Sequence, residues 1–433
     1  MLYYFLKFIV RIFTRIFYRD PLILNRQNVP KNVPLIIASN HPNALIDPCS
    51  LAVFSKQRIH FLARGDVFKN KILYWVFVKL LGMVPIFRLS EGAENLHKNE
   101  ETFRSSADKL RMKKTILMFS EGLCVQERRL RKLRKGTARI AFASEESAGW
   151  KLGLKIISVG LNYNQPEQFR SDLVVNYGKT FDVSQFRELY QQDKAVAINE
   201  FTKYLEQELA QLVVHIANPQ NDEFILQLEE ISANELRNIK TNEKKFRLTE
   251  RLINSVNDFG EEISGLKEKM KSYFLKLSRF KIEDSSVKKF SESTSVFSDF
   301  LSRLLLLLVG FPIHLFGLVN NYIPHRAGFL LAKSIVKQME FFASVHMYSS
   351  AALYLIFYPV QILAVALIFR NWYLLTAYVV LLPLSGLFSL KYYEFSKKFF
   401  SDLRCFLLNK NKREQVIKMR KEITDEMKMK FKI

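Results

Sequence analysis

A histidine and an aspartate stand close together just after an apolar stretch of the chain. The stretch Pro34–Ser39 leads into Asn40 and His41, and Asp47 follows six positions after the histidine. A carboxylate that keeps one imidazole nitrogen protonated leaves the other nitrogen free to accept a proton. Such a pair would take the proton of a substrate hydroxyl without any protein nucleophile. A histidine and an aspartate in one turn also occur as a capping or structural pair, so this feature alone leaves both interpretations open.

Two later segments carry residues suited to a phosphate group and to a tight turn. The segment Gly82–Arg88 ends in an arginine, whose planar guanidinium matches the oxygens of a phosphate. The apolar run Thr115–Phe119 leads into Glu121 and Gly122, where a glycine permits a positive φ or the close approach of another backbone. Each segment alone also fits a surface ion pair or an ordinary turn. Their order along the chain makes a chance origin much less probable.

These segments, in this order, resemble the glycerophosphate and lysophosphatidate acyltransferases, the PlsC-like superfamily. That family carries an N-H-x4-D block, a G-x4-5-R block, an F-P-E-G block and a V-P-V-type strand. The resemblance extends over roughly residues 20–215 and rests on four blocks: Asn40–Asp47, Gly82–Arg88, Phe119–Gly122 and Ile156–Gly160. It implies an α/β protein whose αβ sheet domain transfers acyl groups.

The resemblance also implies roles for individual residues. His41 would deprotonate a hydroxyl of a glycerophosphate acceptor, Asp47 would orient the imidazole, and the alkoxide would attack an acyl thioester of coenzyme A or of a carrier protein. The other site residues would bind substrate: Asn40, Gly82, Arg88, Glu121, Gly122 and Lys135. We expect no metal ion and no cofactor beyond the acyl thioester.

The spacing of the first block differs from that of most of the family. Five residues separate His41 from Asp47, where most members have four. On a regular helix the extra residue would rotate Asp47 by about 100°, so we expect a turn that begins at Pro42. The longer block is most similar to that of the fungal-type glycerol-3-phosphate and dihydroxyacetone-phosphate acyltransferases. Acylation of glycerol 3-phosphate is therefore the leading expectation, and acylation of lysophosphatidate or another lysolipid is the alternative.

The third block departs from the family at two positions. Ser120 replaces the usual proline, and Cys124 stands where many members have an arginine. The basic run Arg128–Lys135 either supplies the missing positive charge or is a solvated loop.

Short apolar runs alternate with helical patterns across residues 21–216, as expected for an α/β acyltransferase domain. In such sheets the functional residues gather at the carboxyl ends of the strands. The predicted strands are Pro34–Ser39, Ile59–Ala63, Met83–Phe87, Thr115–Phe119, Leu154–Leu161 and Leu173–Tyr177. The predicted helices are Asp47–Ser55, Lys71–Leu81, Ala93–Arg111 and Gly136–Ser147, with Val183–Ile216 largely helical.

Residues 1–20 form a basic amphipathic pattern. Lys7, Arg11, Arg15 and Arg19 recur at intervals of four, which places them in one slowly drifting stripe on a helix. We interpret this segment as an interfacial helix whose cations contact lipid headgroups. The alternative is a helix packed against its own domain.

Residues 217–300 are charged and helical. An apolar seam predicts a packed helical hairpin there and consists of Ile263, Leu266, Met270, Tyr273, Leu277 and Phe280. Ser286-Val287 and Ser291–Ser298 have the composition of linkers.

Residues 301–396 form the membrane region. The uncharged segments 351–369 and 372–390 are each long enough to cross a bilayer, and they predict a tight transmembrane hairpin. Leu304–Val319 is shorter, and we interpret it as interfacial or re-entrant, with a full span left open. Basic residues on both flanks, including the tail 397–433, place the catalytic domain in the cytoplasm by the positive-inside rule.

The composition limits the remaining function classes. The net charge of +23, with 37 Phe and 17 Tyr, favours an anionic lipid surface as a partner. A nucleic-acid binder would not need the apolar hairpin, and a transporter would need more spans. The three cysteines form no disulfide framework, and no G-x-S-x-G elbow marks a serine hydrolase. A non-catalytic membrane scaffold remains the alternative from another class, and the sequence does not fix the oligomeric state.

Overall fold

The computed structural model describes residues 2–64, 83–86, 98–236, 241–292 and 296–431. The chain divides into two compact units, the first made of residues 1–215 with 336–347 and the second of residues 216–335 with 348–433. The predicted helix Lys71–Leu81 lies outside the described residues, as does the start of the predicted helix Ala93–Arg111.

A mixed seven-stranded sheet forms the centre of the first unit in the described part of the chain. The strand order is β1-β7-β6-β2-β5-β3-β4, in which β6, β2, β5, β3 and β4 run parallel and β7 is antiparallel to β6. The strands are β1 (Leu22–Leu24), β2 (Leu35–Ser39), β3 (Ile59–Arg64), β4 (Val84–Ile86), β5 (Thr115–Phe119), β6 (Lys155–Tyr163) and β7 (Leu173–Asp182). The α/β class is confirmed, although the prediction missed β1 and ended β7 five residues early.

Helices of the first unit cover the sheet. They are α1 (Leu2–Phe17), α2 (Ile46–Phe54), α3 (Lys98–Arg111), α4 (Gly136–Glu146), α5 (Arg187–Gln192) and α6 (Lys194–Ala210). All five residues of β2 are buried. Strands covered on both faces carry continuous apolar runs rather than alternating ones, which is why these runs could be recognised in the sequence.

Helix α1 packs against α2 with two cations turned inward, so the expected contact with lipid headgroups does not hold for Lys7 and Arg11. Lys7 Nζ donates to the carbonyl oxygen of Ser55 at 2.7 Å, and Arg11 Nε donates to that of Val53 at 3.0 Å. The last carbonyls of a helix have no partner within the helix and carry partial negative charge. The end of α2 therefore binds these cations itself.

The second unit contains a group of polar and charged helices. These are α7 (Asp222–Glu235), α8 (Asn242–Phe259), α9 (Ser264–Phe280) and α10 (Asp284–Glu292), together with the last helix described below. The predicted seam is buried from Ile263 to Leu277. The linker prediction at Ser286-Val287 is wrong, because both residues are buried in α10 and the Ser286 hydroxyl donates to Asp402 at 2.6 Å.

The C-terminal residues form a helix of this group rather than a free basic tail. The helix α14 (Lys410–Phe431) buries Arg420, which donates to Asp284 at 2.8 Å and to Glu235 at 2.8 Å. Asp284 also accepts a hydrogen bond of 2.7 Å from the hydroxyl of Tyr273, a residue of the seam. A buried, fully paired guanidinium thus holds the end of the chain against α7, α9 and α10.

Replacement of Arg420 by methionine is expected to destabilise the second unit by about 3–5 kcal/mol, because Asp284 would remain buried without its cation. Thermal unfolding of the full chain in detergent measures the effect as a lower Tm. The double variant Arg420→Met, Asp284→Leu should recover most of the loss, and Lys410→Met, at an exposed ion pair, serves as the control. A Tm equal to that of the parent would contradict the assigned role of Arg420.

Three helices of the described chain are long and apolar enough to cross a membrane. They are α11 (Val296–Ile335), α12 (Phe342–Phe369) and α13 (Trp372–Leu407). The segment 304–319 is not a separate interfacial or re-entrant piece, because α11 continues without a break through Pro312 and Pro324. Its apolar side chains, such as Leu308 and Val309, are largely exposed in the structure, as expected for residues that face hydrocarbon.

The main packing partner of α13 is α11 rather than α12, which corrects the predicted tight hairpin. The Ser389 hydroxyl donates to the carbonyl of His314 at 3.0 Å, and Asp402 accepts from Arg303 at 2.9 Å. A Cβ atom on Gly317 would lie 2.3 Å from the carbonyl oxygen of Ser385. Small residues allow membrane helices to approach closely and to exchange such hydrogen bonds, which favours this antiparallel pair.

Candidate active site

The carboxyl ends of β2 and β5 form the framework of the site. His41 follows the last residue of β2 by two positions, and Asp47 is the second residue of α2. The turn between them begins at Pro42, as the five-residue spacing predicted. The turn closes through the Asp47 N–H, which donates to the carbonyl of Asn43 at 3.1 Å.

Asp47 is buried and holds the imidazole of His41. The distance from His41 Nδ1 to Asp47 Oδ2 is 2.8 Å, and Asp47 has no exposed surface. The same carboxylate accepts the N–H of Asn43 at 2.7 Å and the hydroxyl of Tyr163 at 2.7 Å. Three donors therefore converge on one buried carboxylate and fix its position. With Nδ1 protonated toward Asp47, Nε2 is the nitrogen left to accept a proton.

Phe119 fixes the plane of the imidazole. The two rings are stacked with centroids 3.7 Å apart and an angle of 7° between their planes. The side chain of His41 remains 16% exposed, so the ring is held on one face and at Nδ1 without being enclosed. Such a restrained imidazole is pre-organised for proton transfer.

Glu121 connects the strand end to two loops. Its carboxylate accepts the backbone N–H of His41 at 2.8 Å and that of Arg131 at 2.9 Å. Burial raises the pKa of Glu121 above its usual value, and these two N–H groups oppose that shift. The structure therefore places Glu121 behind His41, as a link between the catalytic turn and the basic run Arg128–Lys135.

Gly122 directly follows Glu121, and Lys135 is the last residue of the basic run that Glu121 binds. Gly122 has a φ of +71°, and a Cβ atom there would meet Cγ of Arg134 at 2.9 Å. The backbone N–H of Arg134 donates to the carbonyl of Ser120 at 2.7 Å. Arg134 and Lys135 are exposed, directly before α4. The run thus brings exposed positive charge to the end of β5.

Asn40 is buried and bound to the neighbouring strand. Its side-chain amide donates to the carbonyl of Leu161 at 2.9 Å and accepts the N–H of Leu161 at 2.8 Å. Leu161 belongs to β6, the strand that carries the fourth sequence block. Asn40 therefore fixes the residue before His41 against β6, and a contact with substrate stays a prediction.

Sequence reasoning missed the roles of Tyr163, Asn43 and Tyr18 around the pair, and it gave no contact for Cys124. Tyr163 binds Asp47, and Asn43 Nδ2 donates to the hydroxyl of Tyr18 at 2.8 Å. Cys124 Sγ accepts the N–H of Ala44 at 3.0 Å, and burial raises the pKa of this thiol, so that it is present as the thiol. The available signal for Tyr163 was its place at the carboxyl end of a predicted strand.

Replacement of Tyr163 by phenylalanine is expected to lower kcat/KM by about tenfold at neutral pH, because a hydrogen bond to a charged carboxylate is lost. Initial rates of acyl transfer at varied acceptor measure the effect. Tyr177→Phe removes another buried hydroxyl of the unit and serves as the control. A kcat/KM equal to the parent's would contradict this role.

Gly82 and Arg88 lie outside the described residues. The strand that precedes Arg88, β4, is parallel to β3 and ends at Ile86. Among the described residues there is no group of three or more His, Cys, Asp or Glu side chains that could hold a metal ion.

Comparison with known proteins finds a family that matches part of the chain and a solved structure to which the chain is similar. Residues 22–162 match the Acyltransferase family. The chain is similar to the 1-acyl-sn-glycerophosphate (LPA) acyltransferase PlsC of Thermotoga maritima, with 20% identity, a TM-score of 0.33 and coverage of 47% of this chain and 77% of that one. No curated protein matches the chain. The matched residues 22–162 contain all four sequence blocks, together with His41 and Asp47.

Proposed function

We propose that the protein transfers a fatty acyl group from an acyl thioester to a hydroxyl of a glycerophosphate, with glycerol 3-phosphate as the preferred acceptor. The observation that carries the proposal is the pairing of His41 with the buried Asp47 inside an Acyltransferase-family domain. The three apolar helices of the described chain support a membrane-bound enzyme that releases its product into lipid. We propose no cofactor beyond the acyl thioester.

The reaction needs one proton acceptor at the acceptor hydroxyl. His41 Nε2 takes the hydroxyl proton while the oxygen attacks the thioester carbonyl carbon, and Asp47 stabilises the imidazolium that forms. Collapse of the tetrahedral intermediate breaks the C–S bond and leaves the new C–O ester bond. The departing thiolate takes the proton back from His41, so the enzyme returns to its starting state.

Positive charge beside His41 would hold the phosphate of the acceptor. We assign this role to Arg88, which follows β4 by two residues, and to Lys135, with Gly82 and Gly122 shaping the backbone around the phosphate. Support for Lys135 comes from the Glu121 link, which ties the basic run to the backbone of His41.

Replacement of Arg88 by alanine is expected to raise the KM for the phosphate-bearing acceptor by about tenfold or more, with a smaller effect on kcat, because a charge-assisted contact to phosphate is lost. Initial rates at varied acceptor and fixed acyl donor measure the effect. Arg111→Ala, at an exposed pair with Asp108, is the control. A change confined to the KM of the acyl donor would show that Arg88 serves the other substrate.

The identity of the acceptor is tested directly with a panel of hydroxyl compounds. Membranes that contain the protein are given a labelled acyl thioester with glycerol 3-phosphate, dihydroxyacetone phosphate or lysophosphatidate. Label in acyl-glycerol 3-phosphate supports the proposal, and label only in phosphatidate from lysophosphatidate replaces it with the alternative. Transfer to none of the three overturns it in favour of the non-catalytic scaffold.

We further propose that α12 and α13 are the crossing pair and that the catalytic unit, which includes residues 336–347 at the start of α12, faces the cytoplasm. Basic residues flank the apolar helices at Lys333, Lys337 and Lys391, whereas the turn between α12 and α13 holds only Arg370. Such a bias orients membrane proteins with the basic flanks inside. Protection of residues 98–111 from a protease added to intact cells would support this orientation.

A further inference from the structure

Ser120 stands where the PlsC-like family usually has a proline, directly after the last residue of β5. Only 2% of its surface is exposed. A proline at this position would have neither a backbone N–H nor a hydroxyl. Because buried polar groups of a folded protein are almost always hydrogen-bonded, the serine is expected to make contacts that a proline could not make.

The backbone of Ser120 joins β2 to the basic run Arg128–Lys135. Its N–H donates to the carbonyl of Ser39, the last residue of β2, at 3.0 Å. Its carbonyl accepts the N–H of Arg134 at 2.7 Å. The first of these bonds requires an N–H and adds a contact beyond the last paired residues of β2 and β5. The end of the strand that leads to His41 is therefore held more firmly than a proline would allow.

The side chain of Ser120 binds the start of α4. Its hydroxyl lies 3.0 Å from that of Thr137, the second residue of α4. Thr137 is 1% exposed, so water does not compete for this bond. Arg134 and Thr137 are thus both bound to Ser120, and Lys135 lies between them in the sequence. The exposed side chain of Lys135 therefore extends from a piece of backbone that is held on both sides.

We infer that Ser120 is a positioning residue that fixes the place of Lys135 relative to His41. This role rests on the proposed function, in which His41 is the base and Lys135 is a cation for the acceptor phosphate. Ser120 holds Lys135 through the residues on either side of it. It holds His41 through the end of β2, and the next residue, Glu121, accepts the N–H of His41 at 2.8 Å.

A fixed Lys135 favours acceptors that carry a phosphate. A lysine that projects from a loose segment must be ordered when it binds, and the cost of that ordering weakens binding. A backbone held on both sides of Lys135 lowers this cost in advance. The hydroxyl of Ser120 should therefore contribute to the affinity for the phosphate-bearing acceptor and should contribute little to the affinity for the acyl thioester.

Amide hydrogen exchange tests the contact without reference to activity. Ser120→Ala of the full chain in detergent removes the hydroxyl and keeps the backbone bonds. Exchange of the segment 131–138, followed by mass spectrometry, should become at least about threefold faster, because local opening is easier without the bond to Thr137. Ser144→Ala removes another buried hydroxyl of α4 and should leave this segment unchanged. Exchange in Ser120→Ala equal to the parent's overturns the role of the hydroxyl.

Acceptor kinetics test the positioning. Ser120→Ala is expected to raise the KM for the phosphate-bearing acceptor about fivefold to tenfold, the effect of one buried hydrogen bond. The kcat and the KM of the acyl thioester should not change. Thr137→Val removes the other hydroxyl and should give the same increase. The double variant should be no worse than either single variant, because both changes remove one shared bond.

Three kinetic results would overturn this role of Ser120. They are an acceptor KM equal to the parent's, losses that multiply in the double variant, and a loss of kcat with an unchanged acceptor KM. Ser144→Ala is again the control for the loss of a buried hydroxyl. A parent protein that acylates no acceptor rejects the proposed function instead, and amide exchange then still tests whether Ser120 holds the basic run.

Discussion

Replacement of His41 by alanine is expected to lower kcat for acyl transfer by about a hundredfold or more, because a positioned general base contributes about 10²–10⁴ to the rate. Nothing else among the described residues is placed to take this proton: Asp47 is buried behind the imidazole, and Glu121 is occupied by two backbone N–H groups. The loss should appear at saturating acceptor and donor. It is measured as the initial rate at which label from the acyl thioester appears in lipid.

The His41 variant should fold and reach the membrane normally. Its ring contributes one stacked contact with Phe119 and one hydrogen bond to Asp47, and the sheet core does not depend on either. His215→Ala is the matched control, since His215 is an exposed histidine of the same unit. Retention of more than about a tenth of the parent rate by His41→Ala would contradict general-base catalysis by this residue.

Replacement of Asp47 by asparagine is expected to lower kcat by about 10²–10⁴. The carboxylate accepts three hydrogen bonds, from His41, Asn43 and Tyr163. An amide has only one acceptor oxygen, so at least one of the three donors would face an N–H₂ group. If that donor is the imidazole, the ring adopts the other tautomer and Nε2 is no longer a base.

The asparagine variant separates orientation from charge. Asp182→Asn, at an exposed ion pair with Lys155, is the control for loss of a carboxylate in the same unit. The combined variant His41→Ala, Asp47→Asn should be about as slow as His41→Ala alone, because the two residues act as one unit. Multiplicative losses in the double variant would show that Asp47 acts independently of His41.

Much of the sheet could be predicted because its strands are buried on both faces. The runs at β2 and β5 were located to within one residue, since continuous apolar runs bounded by polar residues stand out in a sequence. The strand β1, Leu22–Leu24, was missed because three residues are too few for any periodicity. The extension of β7 to Asp182 was missed because its last residues alternate between buried and exposed positions.

The orientation of α1 could not be derived from its pattern. A stripe of cations next to apolar residues fits either contact with headgroups or contact with the carbonyls at the end of another helix. The position of α2 selects the second for Lys7 and Arg11, and that position is a tertiary feature. For the same reason the partner of α13 was misassigned, because adjacency in the chain favoured α12 while the small residues of α11 allow closer packing.

The contact between His41 and Asp47 could be predicted from the sequence, whereas the residues that hold the two side chains in place could not. His41 and Asp47 are six positions apart, so their contact is nearly local. Tyr163 lies 116 positions from Asp47, and Glu121 lies 80 positions from His41. Such contacts depend on the order of strands in the sheet, which places β5 and β6 on either side of β2.

A structure of the full chain in lipid, bound to glycerol 3-phosphate and a non-reactive acyl thioester analogue, tests the central claim most directly. The distance to be measured joins Nε2 of His41 to the nearest acceptor hydroxyl oxygen. General-base catalysis predicts about 2.6–3.2 Å, or one bridging water, with the phosphate toward the basic residues. An acceptor bound with every hydroxyl out of reach of His41, or in a cavity that does not include this imidazole, would contradict the account.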